Sequence, residues 1–126
     1  PKDLKDPSDS KLLFSMDGKA IYKKTSELFP KFYKSTMEEY GCSNDDFSQF
    51  IPHQASMLAL KLVAKKLEIP DDKLFVNLQK YGNLVGASIP MALHEAMELN
   101  KIQKGENALI IATAAGLTLG LCGLKL

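Results

Sequence analysis

A chain of 126 residues that is 45% apolar can bury one core, and its net charge of +1 creates no field that would gather nucleic acid. All sixteen basic residues are lysines, which excludes bidentate arginine grips on phosphate or carboxylate within the chain. Two distant cysteines, Cys42 and Cys122, with no CxxC or Cys/His cluster, argue against a disulfide framework or a zinc site and for a reducing compartment.

Residues 1–10 are polar and carry two prolines, which predicts a linker or loop, with the folded domain over residues 11–126. Lys11 to Met16 reads as a short strand ended by the Asp17-Gly18 turn. From Lys19 to Tyr40 the period is helical: Ile21, Thr25, Leu28, Phe29, Phe32 and Thr36 form one stripe. Pro30 interrupts that pattern and should kink the helix or remove a hydrogen bond, and Gly41 should close it as a left-handed cap. Cys42 then lies at a helix C-terminus, where nothing activates a thiol.

Phe47 to Ile51 reads as a second strand, with Pro52-His53 at its C-terminal exit. Ser56 to Leu67 is a second helix with Leu58, Leu62, Val63 and Leu67 expected inward. It must stop before Ile69-Pro70, because a residue preceding proline avoids helical dihedrals. Leu74 to Leu78 is predicted as a third strand, Tyr81-Gly82-Asn83 as a turn, and Gly86 to Asn100 as a third helix with Pro90 in its first turn. His94 should face solvent. Asn107 to Thr113 is an apolar strand, Gly116 a turn, and Leu119 to Leu126 a last strand that buries Cys122 as a small hydrophobe. The stretch Ala108 to Leu121 is too short and too interrupted to cross a bilayer. No leader-like segment opens the sequence, and a cytoplasmic location without membrane attachment is the expectation.

Strands alternating with helices predict an α/β fold: a mixed five-stranded sheet with three main helices, parallel except for the antiparallel last pair. Ligands in such sheets sit beyond the carboxyl ends of the strands. His53, Asn83 and the Ala114-Ala115-Gly116 turn each follow a predicted strand, so they can converge on one edge. An imidazole and a carboxamide there can direct two donors at one oxygen, the arrangement that stabilises an oxyanion in acyl transfer. Taken alone, His53 reads as a core histidine and Asn83 as an ordinary turn residue, while Gly116 is equally a hairpin glycine. No cysteine or serine has a nucleophile's setting, so the residues describe half of an active site.

Phe50-Ile-Pro-His-Gln-Ala55, Tyr81-Gly-Asn83 with Ala87-Ser-Ile-Pro90, and the glycine-containing turn before the last strand resemble the C-terminal half of the β-ketoacyl-acyl-carrier-protein synthase III family, condensing enzymes of the thiolase superfamily. The resemblance runs from about Leu12 to Leu126 and implies a thiolase-like half domain. It implies that His53 and Asn83 are catalytic, holding a malonyl thioester oxygen during decarboxylation, while a cysteine from an N-terminal half carries the acyl group. It further implies that Gln54, Ser56 and Gly116 touch substrate, the last through its backbone amide. The partners implied are that N-terminal half, acyl carrier protein, acyl-CoA as a substrate with no separate cofactor, and a second copy in a homodimer.

The sequence departs from the family pattern in places. Ser56, Met57 and Leu58 stand where asparagine and arginines are common. Leu84-Val85-Gly86 replaces Thr-Ser-Ala, Ala114-Ala115-Gly116 replaces three glycines, and Leu119 replaces an aromatic. These changes fall on carrier and substrate contacts. Two alternatives stay open: a non-catalytic partner subunit, and a sibling enzyme of hydroxymethylglutaryl or polyketide synthesis. The lysines Lys61, Lys65 and Lys66 form a basic side of the second helix, either a solvated face or a dock for an acidic carrier protein.

Overall fold

The computed structural model describes residues 16–114 and 116–126. The elements run α1 (Gly18–Glu39), β1 (Gln49–Pro52), α2 (Met57–Lys66), α3 (Leu78–Tyr81), α4 (Ser88–Glu98), β2 (Asn107–Ala114) and β3 (Thr118–Lys125), with single 3-10 turns at Asn44–Asp46, Asp71–Lys73 and Val85–Ala87. The sheet order is β1-β2-β3; β1 runs parallel to β2, and β3 returns antiparallel through a hairpin.

Alternation along the strands divides the interior in two. Phe50, Leu109 and Ile111 point to one face, where Phe29, Tyr33 and Met37 of α1 and Ala64 of α2 cover them. Ile51 and Ala108 point to the other, against Ala92 and Ala96 of α4. Small residues on α4 let that helix approach the sheet closely. A helix layer therefore covers each face of a sheet whose C-terminal edge carries the loops.

The three long helices end alike. Gly41, Glu68 and Asn100 take φ of +62, +55 and +53°, and the next amides, of Cys42, Ile69 and Lys101, reach back to Met37, Ala64 and Ala96 carbonyls at 2.9, 2.9 and 2.8 Å. These are Schellman caps. The one on α1 places Cys42 at a helix C-terminus, as expected. Pro30 leaves α1 unbroken but deprives the Ser26 carbonyl of its helical donor. Lys66 Nζ fills that vacancy at 3.0 Å and ties α2 to α1.

Several expectations are corrected. Three strands, not five, are present among the described residues, and helices number four. The strand predicted over Lys11–Met16 lies outside the described residues but for Met16, as does the linker over 1–10. The one predicted over Leu74–Leu78 shrinks to a single parallel bridge between Phe50 and Leu74, reinforced by Phe75 N–H on the Phe50 carbonyl at 3.0 Å. The Gln54 side chain then takes over, donating to the Phe75 carbonyl and accepting from the Asn77 N–H, and the chain turns into α3 at Leu78.

On α2 the inward stripe is Leu60, Val63, Ala64 and Leu67, while Leu58 is 70% exposed and Leu62 38%. That helix is apolar on nearly every side, so its periodicity could not fix the phase. Leu28 of α1 is likewise exposed, while Phe29 is buried as expected together with Tyr33 and Met37. Cys122 is exposed, not buried, because β3 is the edge strand and α4 covers only β1 and β2. His94 faces solvent.

Candidate active site

The parallel ladder positions His53. Its backbone N–H donates to the Ile111 carbonyl at 2.8 Å, so the last bond of the β1–β2 pair fixes the residue at the sheet's C-terminal edge. The side chain is half-buried, and that desolvation holds its pKa below the ordinary imidazole value of 6.5. The ring is therefore neutral at pH 7, with one nitrogen able to donate and the other to accept. Because β1 and β2 are parallel, the β2–β3 turn containing Gly116 leaves the same edge. Gly116 has φ +90°, and a Cβ added there would meet nothing within 4 Å; its backbone conformation, not crowding, calls for glycine.

Asn83 is reached by a different route. Gly82 closes α3 with φ 68° and ψ −163°, a region essentially reserved for glycine. Asn83 follows, exposed, and its Oδ1 accepts the Val85 N–H at 2.9 Å. That bond engages the carboxamide oxygen, so Nδ2 with its two N–H groups is the donor end. Val85 itself has φ +52°, strained for a β-branched residue. Leu84 N–H is held by Ser88 Oγ at 3.1 Å, with Ser88 only 1% exposed at the head of α4.

Gln54 joins the two routes. It is 1% exposed, its Nε2 donates to the Pro52 and Phe75 carbonyls at 3.0 and 3.2 Å, and its Oε1 accepts the Asn77 N–H at 3.3 Å. Each of its side-chain polar atoms bonds backbone, so Gln54 braces the His53 loop against the segment leading to α3. Asn77 continues the path: its Nδ2 donates to Glu95 Oε2 at 2.8 Å. Ser56 is exposed and serves as the N-cap of α2, its Oγ accepting Ala59 N–H at 3.5 Å, a long bond that leaves the hydroxyl free to turn.

His53 and Gly116 thus share the sheet edge, and Asn83 is linked to His53 through Gln54, Asn77 and α3. No hydrogen bond joins the His53 and Asn83 side chains among the described residues. Two surface depressions lie apart from both residues. One, of about 460 Å³, lies beside Asn77 and Glu95; the other, of about 390 Å³, lies between the end of α1 and β3. His53 itself is half-buried and Asn83 is exposed. Sequence reasoning missed Asn77, Ser88 and Glu95. Ser88 stood in a quoted motif and could have been read as a helix-start residue; Asn77 and Glu95 carry no spacing signal, because they meet across two elements.

The profile of the family described as "3-Oxoacyl-[acyl-carrier-protein (ACP)] synthase III C terminal" matches residues 37–126. The beta-ketoacyl-[acyl-carrier-protein] synthase III of Aquifex aeolicus is 40% identical over 105 residues, covering 83% of this chain and 34% of that protein. Its counterpart in Clostridium perfringens strain SM101 is 37% identical over 117 residues, covering 93% of this chain and 36% of that protein. The solved 3-oxoacyl-[acyl-carrier-protein] synthase III structure from Aquifex aeolicus superposes with a TM-score of 0.85 at 37% identity, over 94% of this chain and 38% of that one. The chain thus spans about a third of the length of the curated relatives it matches. Among the described residues no helix is long and apolar enough to cross a membrane. By its sequence and its thiolase-like α/β fold, the chain belongs to the 3-oxoacyl-[acyl-carrier-protein] synthase III C-terminal family.

Proposed function

We propose that this chain provides the decarboxylating half of the active site of a synthase III-type acyltransferase in fatty acid biosynthesis. In this reading a cysteine outside the chain attacks an acyl-CoA thioester, and CoA leaves as the thiol. The malonyl group of malonyl-acyl carrier protein then loses CO2, and the electron pair of the broken C–C bond moves onto the thioester as an enolate. His53 and Asn83 donate to that enolate oxygen. The carbanion carbon attacks the acyl-cysteine, and the cysteine sulfur leaves. Gly116 lies at the same sheet edge, where its amide would serve the second oxyanion, and the Ser56 hydroxyl would meet the carrier's pantetheine arm. Lys61 and Lys65 on α2 suit an acidic carrier protein. The sheet edge at His53 would be covered by the enzyme's N-terminal half, in a homodimeric and cytoplasmic protein.

The observation that carries this reading is the polarity of the two side chains. Burial keeps His53 neutral, and the Val85 N–H engages the Asn83 oxygen, so an imidazole N–H and the Asn83 Nδ2 can serve as the two donors. In the full-length protein carrying this chain, His53→Ala should lower malonyl-thioester decarboxylation by about 10²- to 10³-fold, the effect of losing one oxyanion donor. Acylation of the cysteine should continue. Equal loss of both half-reactions, or of neither, would overturn the assignment. The chain assayed alone with acyl-CoA and a malonyl thioester should give no condensation product.

A further inference from the structure

The Asn83 loop has little to hold it from within. Helix α3 is a single turn of four residues with none of them buried, and a lone turn does not persist in water. Two strained positions follow it, Gly82 and Val85. Something outside the loop must fix where Asn83 stands.

That support is Glu95. From the middle of α4, with its side chain 15% exposed, it receives three donors: Lys80 Nζ at 2.6 Å, Asn77 Nδ2 at 2.8 Å and Tyr81 OH at 3.3 Å. All three come from α3 or its N-cap. Lys80 Nζ also lies 4.8 Å from the centre of the Tyr81 ring, which orders the pair on one side of the helix. The Lys80 end is open to solvent and, as an ion pair alone, would contribute little. The bond to Asn77 is different, because Asn77 is 8% exposed and its backbone N–H is already held by Gln54. One carboxylate thereby docks α3 onto α4 and joins it to the His53 loop. The Lys80 and Asn77 bonds also hold the carboxyl below the ordinary carboxylate range, so it stays ionised as an acceptor for all three.

We infer that Glu95 is a positioning residue for Asn83, acting through α3 and the Asn77–Gln54 brace. This rests on the oxyanion role proposed above for Asn83. The test uses the full-length protein with variants Glu95→Ala, Asn83→Ala and the two combined, and Glu38→Ala as a control that removes only the exposed Lys34–Glu38 pair on α1.

Glu95→Ala should lower kcat for malonyl-thioester decarboxylation by about 10- to 100-fold, the penalty of a misplaced group, with KM and cysteine acylation little changed. Glu95→Gln should recover only part of the rate, since its single oxygen can replace Oε2 for Asn77 or Oε1 for Lys80 and Tyr81, but not both. In the Asn83→Ala background Glu95→Ala should have no further effect. Undiminished decarboxylation in Glu95→Ala, equal loss of acylation, or a full additional loss on top of Asn83→Ala would each overturn the inference while leaving Asn83 in place. Undiminished decarboxylation in Asn83→Ala would overturn the oxyanion reading itself. Should Glu95→Ala not fold, Glu95→Asp carries the test. It keeps the charge but withdraws the carboxylate by one methylene, and the same Asn83-dependent loss is expected.

Discussion

The two proposed donors reach the site by opposite means. His53 is placed by backbone: the parallel ladder runs to Pro52, its next bond fixes His53, and both faces of the sheet beneath it are packed. Asn83 is placed by side chains: Glu95, Asn77, Ser88 and its own carboxamide hold a loop with no ladder behind it. A group anchored on a sheet inherits the rigidity of the core. A group on a braced loop is only as well placed as each brace, and each brace can be removed singly. Gln54 touches both regions and is where the contrast can be broken.

Gln54→Ala should have the largest effect on stability, about 1–3 kcal/mol for each buried backbone group it strands, with Asn77 N–H first among them. Chemical denaturation should show a lower midpoint with an unchanged slope. Since Pro52 and Phe75 carbonyls are stranded together, the His53 and Asn83 regions should loosen together. Amide exchange that accelerates only near Asn83 would show that Gln54 serves one region alone.

Gly82→Ala separates the regions. Gly82 has open space around it but a conformation that side chains avoid, so a Cβ introduces strain of about 1–3 kcal/mol without a clash. The loop should relax and decarboxylation fall, while exchange of the His53 amide, held by Ile111, stays slow. Loss of protection at His53 as well would mean the two regions move as one.

The smallest expected effect is on pH dependence. His53 has a folded-state pKa below 6.5, so above that value both folded and unfolded chains carry it neutral and it contributes no slope. As pH falls below 6.5 the unfolded chain takes up a proton that the folded chain refuses, and stability is lost until the folded pKa is passed. Activity should show an acid limb over the same window, set below 6.5. Denaturation midpoints of the His53→Gln variant should fall less between pH 7 and pH 5 than those of the parent. An equal fall would place the titrating group elsewhere.

What the sequence made legible follows the same division. The β1 exit at His53, the β2–β3 hairpin around Gly116 and the cap at Gly41 were readable because local residue chemistry decides each. The α2 phase was not, because Met57 to Ala64 is apolar on most sides and packing into the cluster around Phe29 and Phe50 is what selects Val63, Ala64 and Leu67. The strand expected at Leu74–Leu78 had the right composition, but Gln54 competes for its backbone groups after one bridge. Gln54 itself was placed against substrate on the strength of its motif, and each of its side-chain polar atoms bonds backbone. For the site, residue types pointed to His53 and Asn83, while the residues that hold Asn83 in place emerge only when α3 and α4 are brought together.

The central claim is that the His53 imidazole and the Asn83 carboxamide serve one thioester oxygen. A crystal structure of the full-length protein with a non-decarboxylating malonyl-thioester analogue tests it directly. The account predicts a nitrogen of His53 and Nδ2 of Asn83 both about 3 Å from the same carbonyl oxygen. An analogue bound with that oxygen facing only one of them, or neither, would contradict it.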